Sequence, residues 1–173
     1  MEIETRRLIL REYIKPDWED VHQYAKQGDI LLYEAWGPNN EDDTKQYIQQ
    51  ALDEQKKNPR RVYELAVTLK NTKELIGGCR LEHIMEEHKG NIGYIIHPAY
   101  WNQGFASEAT SALLMFAKNT LKLKLVDATC DVLNVASQKV LEKCGFIRVN
   151  LIANHLIIKE RCRDTYVYER TNL

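Results

Sequence analysis

Eighteen consecutive residues, Gly90 to Ser107, carry no Asp, Glu, Lys or Arg. At a charged fraction of 28%, about five charges belong in such a window, and soluble chains usually spread their charge along their length. Asn91, Pro98, Asn102 and Gln103 interrupt the run, so it is no membrane segment. It reads as a buried strand, then a loop, then the first turn of a helix.

The rest of the chain is built around that element. Residues 5–13 read as a strand through Leu8 and Leu10 against Arg7 and Arg11. Pro16 and Asp17 open a helix with Trp18, Val21, Tyr24 and Ala25 at helical spacing. A second, polar helix starts at Asp43 or Thr44, turns Tyr47, Ile48, Ala51 and Leu52 to one side, and ends at Asn58-Pro59. Three strands follow as a meander: Val62 to Leu69, Leu75 to Leu81, and Asn91 to His97. Gly104 to Leu121 is a helix on the spacing of Phe105, Ala109, Leu113 and Ala117. Leu125 to Val132 is a strand, and Asn134 to Cys144 a short helix with Gly145 closing it. Phe146 to Ile158, irregular near Asn154, and Asp164 to Glu169 are the last strands. No repeat or linker divides the chain, and 173 residues suit one domain, 1–173. A mixed α/β (α+β) layered fold fits.

With 24 basic and 25 acidic residues the net charge is −1, which argues against a dedicated nucleic-acid binder. No run of ~20 apolar residues predicts a membrane span. MEIETRRLIL has no apolar core of a signal peptide. Cys79, Cys130, Cys144 and Cys162 form no C-x-x-C pair. They are expected as reduced thiols, mostly in the core, in a cytoplasmic protein. His83 and His88 match no metal-ligand spacing, so no metal is expected.

The loop-to-helix junction at Gly104 has the make-up of an anion site. A helix start offers unpaired N–H groups and the positive end of the macrodipole. Gly104, Ala106 and Ser107 leave the backbone open to a phosphate. On spacing alone, Gly104 could equally just permit the turn. In N-x-x-S at 134–137, Asn134 suits an N-cap and Ser137 falls in the first turn, beside the apolar face of Ala136, Val140 and Cys144. Both could be capping groups and no more.

Read together, HPAYWNQGFASEA at 97–109, NVASQKVLEKCGF at 134–146, DTYVY at 164–168 and TRRLILRE at 5–12 resemble the GNAT superfamily of N-acetyltransferases, and most closely its RimJ/RimL-like branch. The resemblance runs the length of the chain. It implies a central mixed, mostly antiparallel twisted sheet flanked by helices and splayed between its two central strands. It further implies acetyl-CoA as co-substrate, with backbone N–H groups of Asn102, Gln103, Gly104, Phe105, Ala106 and Ser107 on the diphosphate. Ile95, Ile96 and His97 would offer main-chain groups to the pantetheine arm, and Asn134 would hydrogen-bond it. Trp101 stands where the family's loop begins with Arg or Gln.

The implied reaction moves acetyl to an amine, which must lose a proton, while the thiolate should gain one. At pH 7 the neutral form costs a lysine-like amine (pKa ~10.4) roughly 4–5 kcal/mol, and an α-amine (pKa ~8) about 1.4 kcal/mol. Asn91 replaces a Glu base found in many relatives, and Leu141 a Tyr acid. Ser137 is therefore the expected proton donor. Tyr94, His97 and Glu82 are the candidates for the base, with Tyr94 carried forward beside Ser137. The acceptor is expected to be a peptide N-terminus, or alternatively a small amine such as a polyamine or antibiotic. A non-catalytic acyl-CoA-binding module is the reading from outside enzymology, and a homodimer is left open. Lys118, Lys122 and Lys124, or Lys159, Arg161 and Arg163, could meet the 3′-phosphate. Asn154-His155 could border the acceptor.

Overall fold

Leu65, Ala66 and Val67 are all fully buried, which only a strand covered on both faces requires. In the computed structural model, which describes residues 1–158, 160–171 and 173, this strand lies inside one sheet of eight strands. In chain order the elements are β1 (Glu2–Glu4), β2 (Leu8–Glu12), α1 (Trp18–Ala25), α2 (Glu41–Glu54), β3 (Val62–Leu69), β4 (Leu75–Ile84), β5 (Lys89–Ile96), α3 (Phe105–Asn119), β6 (Leu125–Asp131), α4 (Val135–Lys143), β7 (Ile147–Ile158) and β8 (Arg161–Thr171). The sheet order is β1-β2-β3-β4-β5-β6-β8-β7. Only the β5–β6 pair is parallel; the other six pairs are antiparallel.

Alternation along the strands divides the core in two. Leu65 and Val67 join Leu8, Leu10, Ile76, Leu81, Ile92 and Val126 beneath α3, whose Phe105, Ala109, Leu113 and Ala117 face them. Ala66 turns the other way, to Tyr13, Val21, Tyr24, Ile48 and Ala51 under α1 and α2. The predicted apolar spacings of all three helices are therefore the buried faces.

Several boundaries move for identifiable reasons. β1 was not expected: Glu2-Ile3-Glu4 is too short to alternate visibly, and its register against Leu10 and Arg11 is a tertiary fact. α2 starts at Glu41, ahead of Asp43, because Asn40 caps it. Asn40 Oδ1 accepts the Asp43 N–H at 2.9 Å, and the Asp43 carboxylate accepts the Asn40 N–H at 3.0 Å. The acidic run Glu41-Asp42-Asp43 thus sits on the positive helix end. The helix stops at Glu54, short of Pro59. In α4 the fully buried residue is Leu141, not Ala136, which is exposed. The irregularity near Asn154 is there: β7 shifts register between Ile152 and Leu156, and Asn154 has φ +50°. Cys79, Cys130 and Cys144 are buried free thiols, and Cys162 is exposed. No helix among the described residues is long and apolar enough to cross a membrane.

β4 crosses β5 at Gly77 with no room for a side chain. A Cβ there would stand 2.2 Å from the Ile95 carbonyl oxygen, a backbone atom that cannot swing aside. Gly77→Ala should cost about 1–3 kcal/mol of unfolding free energy, read as a lower midpoint in urea denaturation.

Candidate active site at the splay between two parallel strands

β5 and β6 pair only from Lys89–Leu125 to Asn91–Asp127 and then part. At the fork, Asp127 accepts from Asn91 Nδ2 at 2.5 Å and pairs with Lys89 Nζ at 2.5 Å. Asn91 is thus a pin of the fork. Beyond it β5 keeps its ladder to β4 and loses its other partner. His97 N–H donates to the Ile76 carbonyl at 2.8 Å, so by strand alternation the main-chain groups of Ile95 and His97 face β4. Ile92, Tyr94 and Ile96 face the gap. Of the residues expected to offer main-chain groups, Ile96 turns them to the gap, as does Tyr94 two residues earlier, whereas Ile95 and His97 turn theirs to β4. The Ile96 carbonyl already accepts Trp101 Nε1 at 2.6 Å.

The gap opens into a cleft of about 280 Å³ walled by Tyr94, Cys130, Asn134, Ser137 and Leu141. Asn134 caps α4, its Oδ1 accepting the Ser137 N–H at 3.0 Å; its Nδ2 has no partner among the described residues. The cap sets Ser137 one turn before Leu141, so the hydroxyl points inward. Ser137 Oγ lies 2.8 Å from the Tyr94 hydroxyl, which also contacts the Ser137 carbonyl at 3.2 Å. The two residues expected to handle protons are therefore in direct contact. Burial pushes the Tyr94 phenol well up, against the opposing effect of Ser137, so it holds its proton at neutral pH.

The loop before α3 follows directly on the end of β5. Asn102 has φ +60° and Gly104 φ +79°. The backbone N–H groups of residues 102 to 107 have no hydrogen-bond partner among the described residues. Such an array at a helix start suits an anion. Arg7, which the sequence reading did not single out, braces this loop. Its Nη1 donates to the Gln103 carbonyl at 2.9 Å, its Nε to Glu108 at 2.7 Å, and its guanidinium lies 4.3 Å from the Phe105 ring centre.

A second cleft of about 400 Å³ lies between the sheet and the α1–α2 layer, lined by Tyr24, Trp36, Tyr47 and Glu64. Glu34, Trp36, Arg80, Gly93 and Tyr94 line both clefts, which therefore meet there. Arg80 is held by Glu64 at 3.0 Å and Glu82 at 2.7 Å, and Tyr47 donates to Glu64 at 3.1 Å. Burial raises the Glu64 carboxyl in spite of Arg80. Burial raises Glu34 too, opposed only by the Trp36 indole N–H at 3.2 Å.

A family model described as the acetyltransferase (GNAT) domain matches residues 7–147. The chain belongs to the GNAT acetyltransferase family. An uncharacterized N-acetyltransferase of Bacillus subtilis, YnaD, is 30% identical over 168 residues, 97% of this chain and 95% of the relative. A GNAT-family acetyltransferase from Bacillus anthracis superposes with a TM-score of 0.88 at 29% identity, over 99% of this chain and 98% of that one. Two more distant structures share the fold. RimL, a ribosomal α-N-protein acetyltransferase in complex with coenzyme A, has a TM-score of 0.88 at 17% identity, over 99% and 98% of the two chains. Spermidine N-acetyltransferase from Vibrio cholerae, in complex with CoA and spermine, has 0.83 at 20%, over 96% of each.

Within this GNAT fold other expected site residues have structural occupations. His97 Nδ1 accepts the Ala99 N–H at 3.1 Å, and Glu82 is paired with Arg80. Lys118 lies ~20 Å along α3 from Phe105, at the end away from the anion loop. Arg163 is bound to Asp131 at 2.7 Å, and Lys159 lies outside the described residues. Asn154 N–H donates to Asp164. Among the described residues no three ligand side chains gather into a metal site. Glu34, Glu64 and Arg80 were missed. An acid between Tyr33 and Trp36 ahead of Gly37-Pro38 was the available signal for Glu34, since an aromatic-flanked carboxylate in a loop is unusual for a merely solvating charge.

Burial pushes the Cys130 thiol up to about 11 from an ordinary value of 9.0. A thiol whose folded pKa exceeds its unfolded one stabilises the fold below pH 9 and loses that contribution as pH rises towards 11. Thermal melts should accordingly fall across pH 9–11, and less steeply in Cys130→Ala.

Proposed function

We propose that this acetyltransferase moves acetyl from acetyl-CoA to a primary amine, most suitably the α-amine of a peptide N-terminus. One observation carries the reading: a cleft at the splay between β5 and β6 and a cleft under α1–α2 meet at Tyr94, where the hydroxyl of Ser137 is 2.8 Å away. The free N–H groups of residues 102–107 suit the diphosphate, with Arg7 keeping the loop in shape. The main-chain groups of Tyr94 and the N–H of Ile96, together with Asn134 Nδ2, suit the amides of the pantetheine arm. Acetyl-CoA supplies a thioester, an acetyl group already activated for transfer. The chain's own share is to align the amine and to return a proton to the departing sulfur. Ser137 and Tyr94 hold two exchangeable protons at that place, and Tyr94 stays protonated across the physiological range.

An α-amine is favoured on two grounds. It needs about 3 kcal/mol less than a lysine-like amine to become neutral at pH 7. The acceptor cleft also offers one carboxylate without a basic partner, Glu34, since Arg80 offsets Glu64. That suits a single ammonium group, whereas a polyamine would call for several free carboxylates. RimL and the spermidine enzyme, both described with CoA, represent the two acceptor classes among the structural neighbours. Kinship with the RimL-like branch and a cytoplasmic location, in keeping with four unpaired thiols, belong to the same reading.

Thiol release from acetyl-CoA should be seen with peptides bearing a free N-terminus and be weaker with spermidine. The reverse order would favour the polyamine reading. Tight acetyl-CoA binding with no release on any acceptor would leave only a binding module. Ser137→Ala should lower kcat about 10²-fold and leave acetyl-CoA affinity, measured by calorimetry, nearly unchanged. Gly104→Ala should do the opposite. A side chain at φ +79° costs about 1–2 kcal/mol, so affinity should drop roughly tenfold with kcat preserved.

A further inference from the structure

The base candidates singled out in the sequence have other occupations: Tyr94 keeps its proton beside Ser137, His97 Nδ1 accepts the Ala99 N–H, and Glu82 is paired with Arg80. Glu34 remains. It stands on the loop between α1 and α2 and is a wall of both clefts, so it faces the place where an acceptor entering one would meet the acetyl group held in the other. It is half-buried. Its carboxylate accepts the Trp36 indole N–H at 3.2 Å, and among the described residues no Lys, Arg or His pairs with it.

Resting on the acetyltransferase reading above, we propose that Glu34 receives the acceptor's ammonium group where the two clefts meet and takes its proton as the amine attacks. The ammonium proton passes to a Glu34 carboxylate oxygen. The nitrogen lone pair so released forms the C–N bond, the thioester C–S bond breaks, and the sulfur leaves with a proton from the Tyr94–Ser137 hydroxyl pair. The second proton of the acylated nitrogen passes to that pair to restore it, leaving a neutral amide. The ring walls of Trp36, Tyr24 and Tyr47 add faces that attract a cation. The acceptor class that follows is an amine entering as its cation, with no anionic group beside the nitrogen.

The charges around Glu34 support this assignment. From β4, Arg80 faces the same space, but Glu64 and Glu82 hold it. From β5 comes Tyr94, and from β6 the neutral thiol of Cys130 and Asp131, which Arg163 of β8 neutralises. From its own loop come Tyr33 and Trp36. Glu34 is thus the negative charge in the shared space that a cation is free to answer. Burial raises its carboxyl above the ordinary range, which narrows the gap to the amine and makes it a better proton acceptor.

The test compares wild type with Glu34→Gln and Glu34→Asp in acetyl-CoA turnover, using a free N-terminal peptide and spermidine across pH 5–9. Wild-type kcat/KM should fall on the acid side, as Glu34 is protonated, at a pH above that of an ordinary carboxylate. Glu34→Gln should lower kcat/KM for every used acceptor about 10²-fold and leave the KM for acetyl-CoA unchanged. Its remaining rate should climb with pH in proportion to the neutral amine. Glu34→Asp should recover part of the loss and restore the acid limb. A Glu34→Gln enzyme within threefold of wild type, with the same pH profile, overturns the role of Glu34 and leaves the acetyltransferase reading standing. A wild-type enzyme that turns over no acceptor overturns both.

Discussion

The structure turns on where two parallel strands stop pairing. β5 and β6 share three residues of ladder, and every feature of the candidate site follows from their separation after Asn91 and Asp127. An unpaired strand edge inside a protein leaves polar groups without partners, a cost that needs an answer. Here Trp101 answers at Ile96. At Tyr94 the edge lies open to a cleft, where an extended molecule carrying amides could take the place of a strand. The fork is fixed by Asp127, which Asn91 and Lys89 approach from β5. Asn91 thus serves to hold the two strands at their point of divergence.

The two layers covering the sheet divide the labour. α3 is anchored by an apolar face and presents its bare N-terminus to the cofactor side. The α1–α2 layer covers the opposite face less tightly and leaves room beneath it, with Glu34 and Trp36 brought in by the connecting loop. The candidate site lies at the sheet itself, where Gly93 and Tyr94 of the splayed β5 line both clefts together with Arg80 of β4 and with Glu34 and Trp36 of the loop.

Much of this was legible in the sequence, and the parts that were not share a cause. The helices, the meander and the uncharged strand–loop–helix were readable because periodicity and charge patterning are local. Gly104, Asn134 and Ser137 were readable because capping and positive-φ chemistry are local as well. The contact of Tyr94 with Ser137 joins residues 43 apart, and each was singled out for its own reason. Glu34, Glu64 and Arg80 gave no periodic signal. The loop around Glu34 has no repeat to read, and the two strand residues look like ordinary outward-facing charges until α2 is laid over them. The choice between Ile95, Ile96 and His97 likewise depended on which edge of β5 is paired, which no single strand reveals about itself.

Arg7 reaches across 101 positions of chain to Glu108, and Thr5 does nearly the same. The brace on the anion loop therefore joins the beginning of the polypeptide to a helix made long afterwards. On a growing chain, Arg7, the residue ahead of β2, has to wait for 101 further residues before it meets its counter-ion. Contacts so distant in sequence form late and slowly. The brace on the loop ahead of α3 is thus among the later contacts of the molecule to take shape.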